Sequence, residues 1–143
     1  MRIQMELARI LIRELNDAQL IELREVGHEG DEPRSFPILI GISEAIAIDR
    51  RLSGIHTGRP MTHDLLASTI VQLGASLDSI SINKIVDGTF HASLNLTDST
   101  GLPIEIDARP SDAIALGIAS DVPIYVDDSV IEHAILPPFD EVD

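Results

Sequence analysis

Hydrophobic residues recur along the chain at two spacings, and each predicts a different element. Ile3, Met5 and Leu7, then Ile10 and Ile12, stand roughly at alternate positions between polar partners, which predicts a strand over 3–15. LIELREV (20–26) and FPILI (36–40) repeat that spacing on either side of the polar stretch GHEGDEPRS (27–35). They read as a β-hairpin around a solvated acidic loop. Three more alternating runs, DSISINKIVDG (78–88), TFHASLNLTDS (89–99) and LPIEIDA (102–108), are parted by Asp87-Gly88 and by residues 98–101. Asp-Gly supplies the backbone freedom of a tight hairpin turn, so these runs predict an antiparallel meander. Val122–Val126 reads as a further short strand.

Elsewhere the spacing lengthens to three and four. In GISEAIAIDRRLSG (41–54), Ile42, Ala45, Ile46 and Leu52 share a helix face with Asp49 near its middle, and Glu44 falls on the opposite side. THDLLASTIVQLGA (62–75) has Thr62 as N-cap and Asp64 in the first turn, where the helix dipole favours negative charge. Leu65, Leu66, Thr69, Ile70 and Leu73 form its expected buried stripe, with Asp64 pointing away and Gly74 ending the helix. The helix over 111–120 is apolar almost all round and rich in small residues, so it should lie buried against a sheet. A short helix over 129–134 completes the set. The expected fold is α+β (mixed α/β), a single compact domain with a largely antiparallel sheet packed with three or four helices. The domain spans 1–135, followed by an acidic C-terminal tail over 136–143.

Composition sharpens this picture. With 44% hydrophobic residues but only 3% aromatics and no Trp, the core must be built of Ile, Leu, Val and Ala. The absence of Cys excludes disulfides, a thiol nucleophile and thiolate-held metal. A net charge of -14 opposes non-specific attraction to phosphate backbones and acidic membranes. The ten Lys and Arg are scattered, and only Arg50-Arg51 adjoin, which argues against a stable nucleic-acid binder. Charges interrupt the apolar pattern of MRIQMELARILIREL, so neither a signal peptide nor a membrane span is expected. The expectation is a soluble cytoplasmic protein with no membrane partner. No GxGxxG, P-loop or nucleophile-elbow pattern supports kinase, dehydrogenase or hydrolase-elbow chemistry. The five histidines (28, 56, 63, 91, 133) lack metal-ligand spacing, and most are expected to be solvated.

Two helix starts rhyme: Arg59-Pro60-Met61-Thr62-His63-Asp64 and Arg109-Pro110-Ser111-Asp112. The plainer explanation is structural, with Thr or Ser capping amides, Asp complementing the dipole, Pro limiting the approach and Arg pairing with a carboxylate. The functional explanation is that two converging helix N-termini, each with an arginine, make a phosphate-sized pocket, with His63 available for proton transfer. Glu105 and Asp107 lie on one face of a strand, and with a third carboxylate nearby they could hold Mg²⁺ or Mn²⁺. A solvated acidic strand would look the same.

The segments FPILIGISEAIAI (36–48), RPMTHDLLASTIVQLGA (59–75), TFHASLNL (89–96) and IDARPSDAIALGIASDVPIYV (106–126) together resemble the bifunctional nuclease family, small domains of bacteria and plants. The resemblance implies a compact domain of sheet and packed helices, a homo-oligomer, and activity on RNA and DNA as transient substrates. Matched by motif, the site candidates are Thr62, His63 and Asp64, then Asp107, Arg109, Ser111 and Asp112, with Glu44 a further polar candidate. The expected function is a weak, metal-assisted phosphodiesterase, with His63, Asp64, Arg109 and Asp112 as catalytic candidates. Asp107 and Asp112, joined by Asp64, would hold a divalent cation (Mg²⁺ or Mn²⁺). Arg109 would bind the scissile phosphate, His63 would act as acid or base, and Thr62 and Ser111 would contact substrate. Arg109 should be held by Asp107 or Asp112 at the rim of a concave site. The alternatives are a non-catalytic regulatory or assembly domain that binds a small anionic ligand or a protein partner, and a purely structural oligomer module.

Overall fold

A computed structural model of the chain describes residues 1–13, 18–27 and 32–135; the acidic tail, His28 and part of the first acidic loop lie outside the described residues. Seven strands form one sheet: β1 (Arg2–Leu11), β2 (Gln19–Glu25), β3 (Ser35–Ile40), β4 (Ser76–Val86), β5 (Thr89–Thr97), β6 (Pro103–Ala108) and β7 (Ile124–Asp127). The order across the sheet is β3-β2-β1-β7-β4-β5-β6, with every pairing antiparallel except β4 with β7. Four helices accompany it: α1 (Ile42–Ser53), α2 (Thr62–Gln72), α3 (Pro110–Ser120) and α4 (Asp128–Ile135). The expected α+β architecture, hairpin and meander are all present. Asp87 and Gly88 both adopt positive φ, 51° and 80°, the backbone that a two-residue hairpin turn demands.

The sheet curls strongly. Five strand spacings separate β3 from β5, about 24 Å in a flat sheet, yet the rings of Phe36 and Phe90 stack 5.7 Å apart. The concave face carries Ile21, Leu23, Phe36, Ile38, Ile80, Ile82, Leu94 and Val126, all buried. The opposite face is polar through its middle, where Asn95 Nδ2 donates to Ser79 and Ser81 at 3.0 and 2.8 Å and Arg2 Nη1 donates to Ser81 at 3.1 Å. Asp107 and Glu105 belong to this polar face, because they register with Ser93 and Asn95.

α3 fills the hollow. Ala113 to Gly117 are all buried, as the lack of a polar stripe requires. A Cβ on Gly117 would lie 3.2 Å from Val122 and 3.4 Å from Ile80, so the missing side chain permits the close approach to β4. The other helix faces depart from the sequence expectation. α1 buries Ala45 and Ile48 and exposes Ile42, Ile46, Leu52 and Asp49. α2 buries only Ile70, with Ala67 half-buried, while Leu65, Leu66, Val71 and Leu73 stand exposed. Both helices pack chiefly against α3, whose small side chains present a narrow surface, so only a thin stripe of each is covered.

Candidate functional site

Three helix N-termini meet around one cluster of charges, and the local sequence explains how each is set. α1 begins after Gly41, where an added side chain would collide with the carboxylate of Glu44 in the helix's first turn. α2 is capped through Asp64, whose Oδ2 accepts the Met61 N–H at 2.9 Å. Thr62 is therefore the first helical residue and not the cap. In α3, Arg109 occupies the cap position, Pro110 the first turn where its missing N–H costs nothing, and Ser111 is buried behind it. Neither hydroxyl makes the capping bond expected of it.

From these three starts Glu44, His63 and Asp112 project towards one another. His63 Nε2 lies 2.9 Å from Asp112 Oδ1, and Arg109 Nε donates to Asp112 Oδ2 at 2.9 Å. Arg109 Nη1 reaches Glu44 Oε2 at 3.4 Å. Asp112 thus holds an imidazole with one oxygen and a guanidinium with the other. Partial burial pushes its carboxyl up, but the bonds from Arg109 and His63 outweigh this and leave it below the usual aspartate range. The same pairing pushes the Arg109 guanidinium further up. An ionised carboxylate only accepts, so the His63 nitrogen facing Asp112 must carry a proton. In the neutral ring, Nδ1 then holds the free lone pair.

This chain of charges borders a cleft of about 490 Å³ lined by Ser43, Ile46, Ala47, Met61 and Thr62 among others. Arg109 and Glu44 also line a neighbouring hollow of about 340 Å³ whose wall includes Ser111. Arg109 therefore stands at the rim of a concave site, held by Asp112, as the sequence led one to expect.

Asp64 turns the other way. Its carboxylate is shared by Arg50, at 3.0 Å, and by Arg51, and it is held below the ordinary range first by the Met61 N–H and then by these arginines. Arg51 also donates from Nε to the carbonyl of Ala115 at 2.6 Å, which ties α1 to α3. Asp64 is thus a structural pin between helices. The one trace of it in the sequence was that Arg50 and Arg51 are the only two basic residues that adjoin. Glu44, placed by the wheel on the face away from the core, is the second residue whose weight the sequence understated.

Asp107 lies exposed on β6 and makes no ion pair among the described residues. The proposed pairing of Asp107 with Asp112 around a cation has little geometric support. Both Asp112 oxygens are engaged by His63 and Arg109, and Asp64 is engaged by arginines. Among the described residues no group of three or more His, Asp or Glu converges as a metal-ligand set. Among the described residues, these carboxylates as paired do not fit a resident Mg²⁺ or Mn²⁺.

The geometry defines a compact α+β domain presenting a carboxylate-clamped histidine and arginine at convergent helix N-termini. Residues 26–138 match the bifunctional nuclease domain, and the chain belongs to that family. Among its relatives are two uncharacterized proteins of Mycobacterium tuberculosis, from strains CDC 1551 / Oshkosh and ATCC 25618 / H37Rv. Each is 41% identical over 115 residues, covering 80% of this chain and 68% of the relative. Bifunctional nuclease 2 of Oryza sativa subsp. japonica is 30% identical over 94 residues, which cover 64% of this chain and 29% of the rice protein. No helix among the described residues is long and apolar enough to cross a membrane.

Proposed function

We propose that the domain is a phosphodiester hydrolase acting on RNA or DNA, with the His63–Asp112–Arg109 cluster as its centre. The observation that carries the reading is Asp112, whose two oxygens orient a proton-transfer group and a phosphate-binding group side by side at 2.9 Å each. The free Nδ1 of His63 takes the proton from the attacking hydroxyl or water as its oxygen bonds to phosphorus. The P–O bond to the leaving oxygen breaks on the opposite side, and that oxygen takes a proton from solvent. Arg109 Nη2 is free of the ion pairs and grips the phosphate oxygens, while the positive helix N-termini favour the charge that develops there. Thr62 lines the cleft and offers a hydroxyl to the strand, and Ser111 sits on the far side of Arg109.

A second reading is favoured by one specific fact. Every charge in the chain from His63 to Glu44 already has a partner, which suits a fixed, non-catalytic cluster with only Arg109 Nη2 left to meet an anion. Purified protein assayed on RNA and single-stranded DNA, in chelator and with added Mg²⁺ or Mn²⁺, separates the readings. The hydrolase reading expects cleavage in chelator that falls by about 10²–10⁴-fold in His63→Ala. Cleavage only with added cation would overturn the metal-free mechanism. Cleavage unchanged by His63→Ala would remove this cluster from the chemistry and leave the anion-binding module.

A further inference from the structure

The segment joining α1 to α2 walls a further concavity, of about 430 Å³, on the other side of Asp64 from His63. Its lining carries Arg50, Arg51, His56 and Arg59 against one carboxylate, Asp64. That carboxylate is already shared by two arginines. Arg51 is buried and bound to α3 carbonyls, and Arg50 spends Nη1 on the carbonyl of Ile55 at 3.2 Å. Arg59 and His56 are exposed and make no ion pair or side-chain hydrogen bond among the described residues.

Among the described residues, Arg59 keeps its guanidinium unpaired although 24 acidic residues compete for ten basic ones. Arg109, the counterpart of Arg59 in the other helix start, is held by two carboxylates, whereas Arg59 is left with its whole donor fork. The segment is also shaped in advance. Thr57 Oγ1 donates to the Arg59 carbonyl at 2.5 Å across the bend at Gly58 and Arg59, and Pro60 restricts the backbone of the residue before it. A guanidinium fork, a second cation beside it and an imidazole around a hollow match the oxygens of a phosphate group.

We propose that this concavity is a phosphate subsite, and that on a nucleic-acid strand it takes the phosphate next to the one held at His63. The second half rests on the hydrolase reading; the first does not. Arg50 lines both this concavity and the His63 cleft, so the two adjoin across the N-terminal turn of α2 and a single strand can cross from one to the other.

The test reads binding without turnover. Inorganic phosphate is titrated into the whole protein while backbone amide NMR signals are followed, for the wild type, Arg59→Ala and Arg109→Ala. Arg59 is exposed and unpaired, so its removal should leave the melting temperature unchanged. A saturable set of shifts at residues 54–60, weakened by about tenfold or more in Arg59→Ala but retained in Arg109→Ala, is expected, separate from any at His63 and Arg109. Shifts at His63 and Arg109 alone, shifts at 54–60 unaltered by Arg59→Ala, or no shifts would overturn the subsite. A dinucleotide with a terminal phosphate should then bind about tenfold more tightly than one without, and Arg59→Ala should erase the difference. Equal binding of the two would overturn the placement along a strand. A protein that binds phosphate at 54–60 but cleaves nothing would defeat the hydrolase reading alone.

Discussion

Replacing Asp112 by Asn keeps the shape of the side chain and removes the charge on which His63 and Arg109 both depend. Charge-assisted hydrogen bonds of 2.9 Å contribute about 1.5–3 kcal/mol each in shielded sites. Asp112 is 36% exposed and Arg109 63% exposed, however, so solvent screening reduces the pair to about 1–2 kcal/mol together. Asp112→Asn should therefore lower the melting temperature by only a few degrees. Activity should suffer far more, by about a hundredfold or greater, because the amide can present NH₂ to the imidazole and reverse which ring nitrogen carries the lone pair. The pH dependence fixes the cause. The Asp112 carboxyl lies below its unfolded value, so its stabilisation is complete above about pH 4–5 and drains away as pH falls through the lower, folded value. The gap in melting temperature between wild type and Asp112→Asn should thus be full at neutral pH and close in strong acid. Thermal melts across pH, beside initial rates at neutral pH, provide both readouts. A gap that ignores pH, or activity lost only in proportion to stability, would refute the clamp.

Gly117→Leu should cost about 1–3 kcal/mol or more in a urea melt, since even a Cβ there meets Val122 at 3.2 Å; a neutral result would mean α3 is not packed as described. Gly41→Ala should barely move the melting temperature, because the clash is with the flexible tip of Glu44, yet it should displace that carboxylate from Arg109 and raise KM. An unchanged KM would make the Glu44–Arg109 contact incidental. Light scattering at micromolar concentration should show a dimer or larger assembly, because Leu65 and Val71 on α2, Leu73 just beyond it, and Leu102, Ile104 and Ile106 around β6 leave apolar surface uncovered; a monomer would refute it.

The strands were legible because their signals are local. Alternation marks β4, β5 and β6, and Asp87-Gly88 carries its own turn geometry, so no distant contact is needed to see the meander. The insertion of β7 between β1 and β4, and the curl that brings Phe36 onto Phe90, depend on pairings between remote segments and leave no trace in any window of sequence. The helices fail differently. Periodicity says which residues share a face, but not which face the fold covers. α1 has apolar residues on two sides and turns Ala45 and Ile48 inward, because that rotation also brings Arg51 to Asp64 and to α3. The exposed leucines of α2 read as core by pattern alone.

The site was half legible for a related reason. The sequence grouped His63 with Asp64, yet these neighbours leave the helix about 100° apart, and their short side chains reach different partners. His63 turns to Asp112 and Asp64 to the arginines of α1, and the N-terminal turn of α2 becomes a divider between two concavities. That division also answers the objection raised by the overall charge. Of ten basic side chains, Arg50, Arg51, Arg59 and Arg109 gather around these helix starts, beside His56 and His63. The acidic remainder repels a phosphate chain from most of the surface, while the helix N-termini and the arginines favour it at this one. On the hydrolase reading, a net negative protein with its cations concentrated in adjoining hollows should therefore bind nucleic acid weakly and locally. Such binding suits a substrate that must leave after cleavage better than a partner that stays.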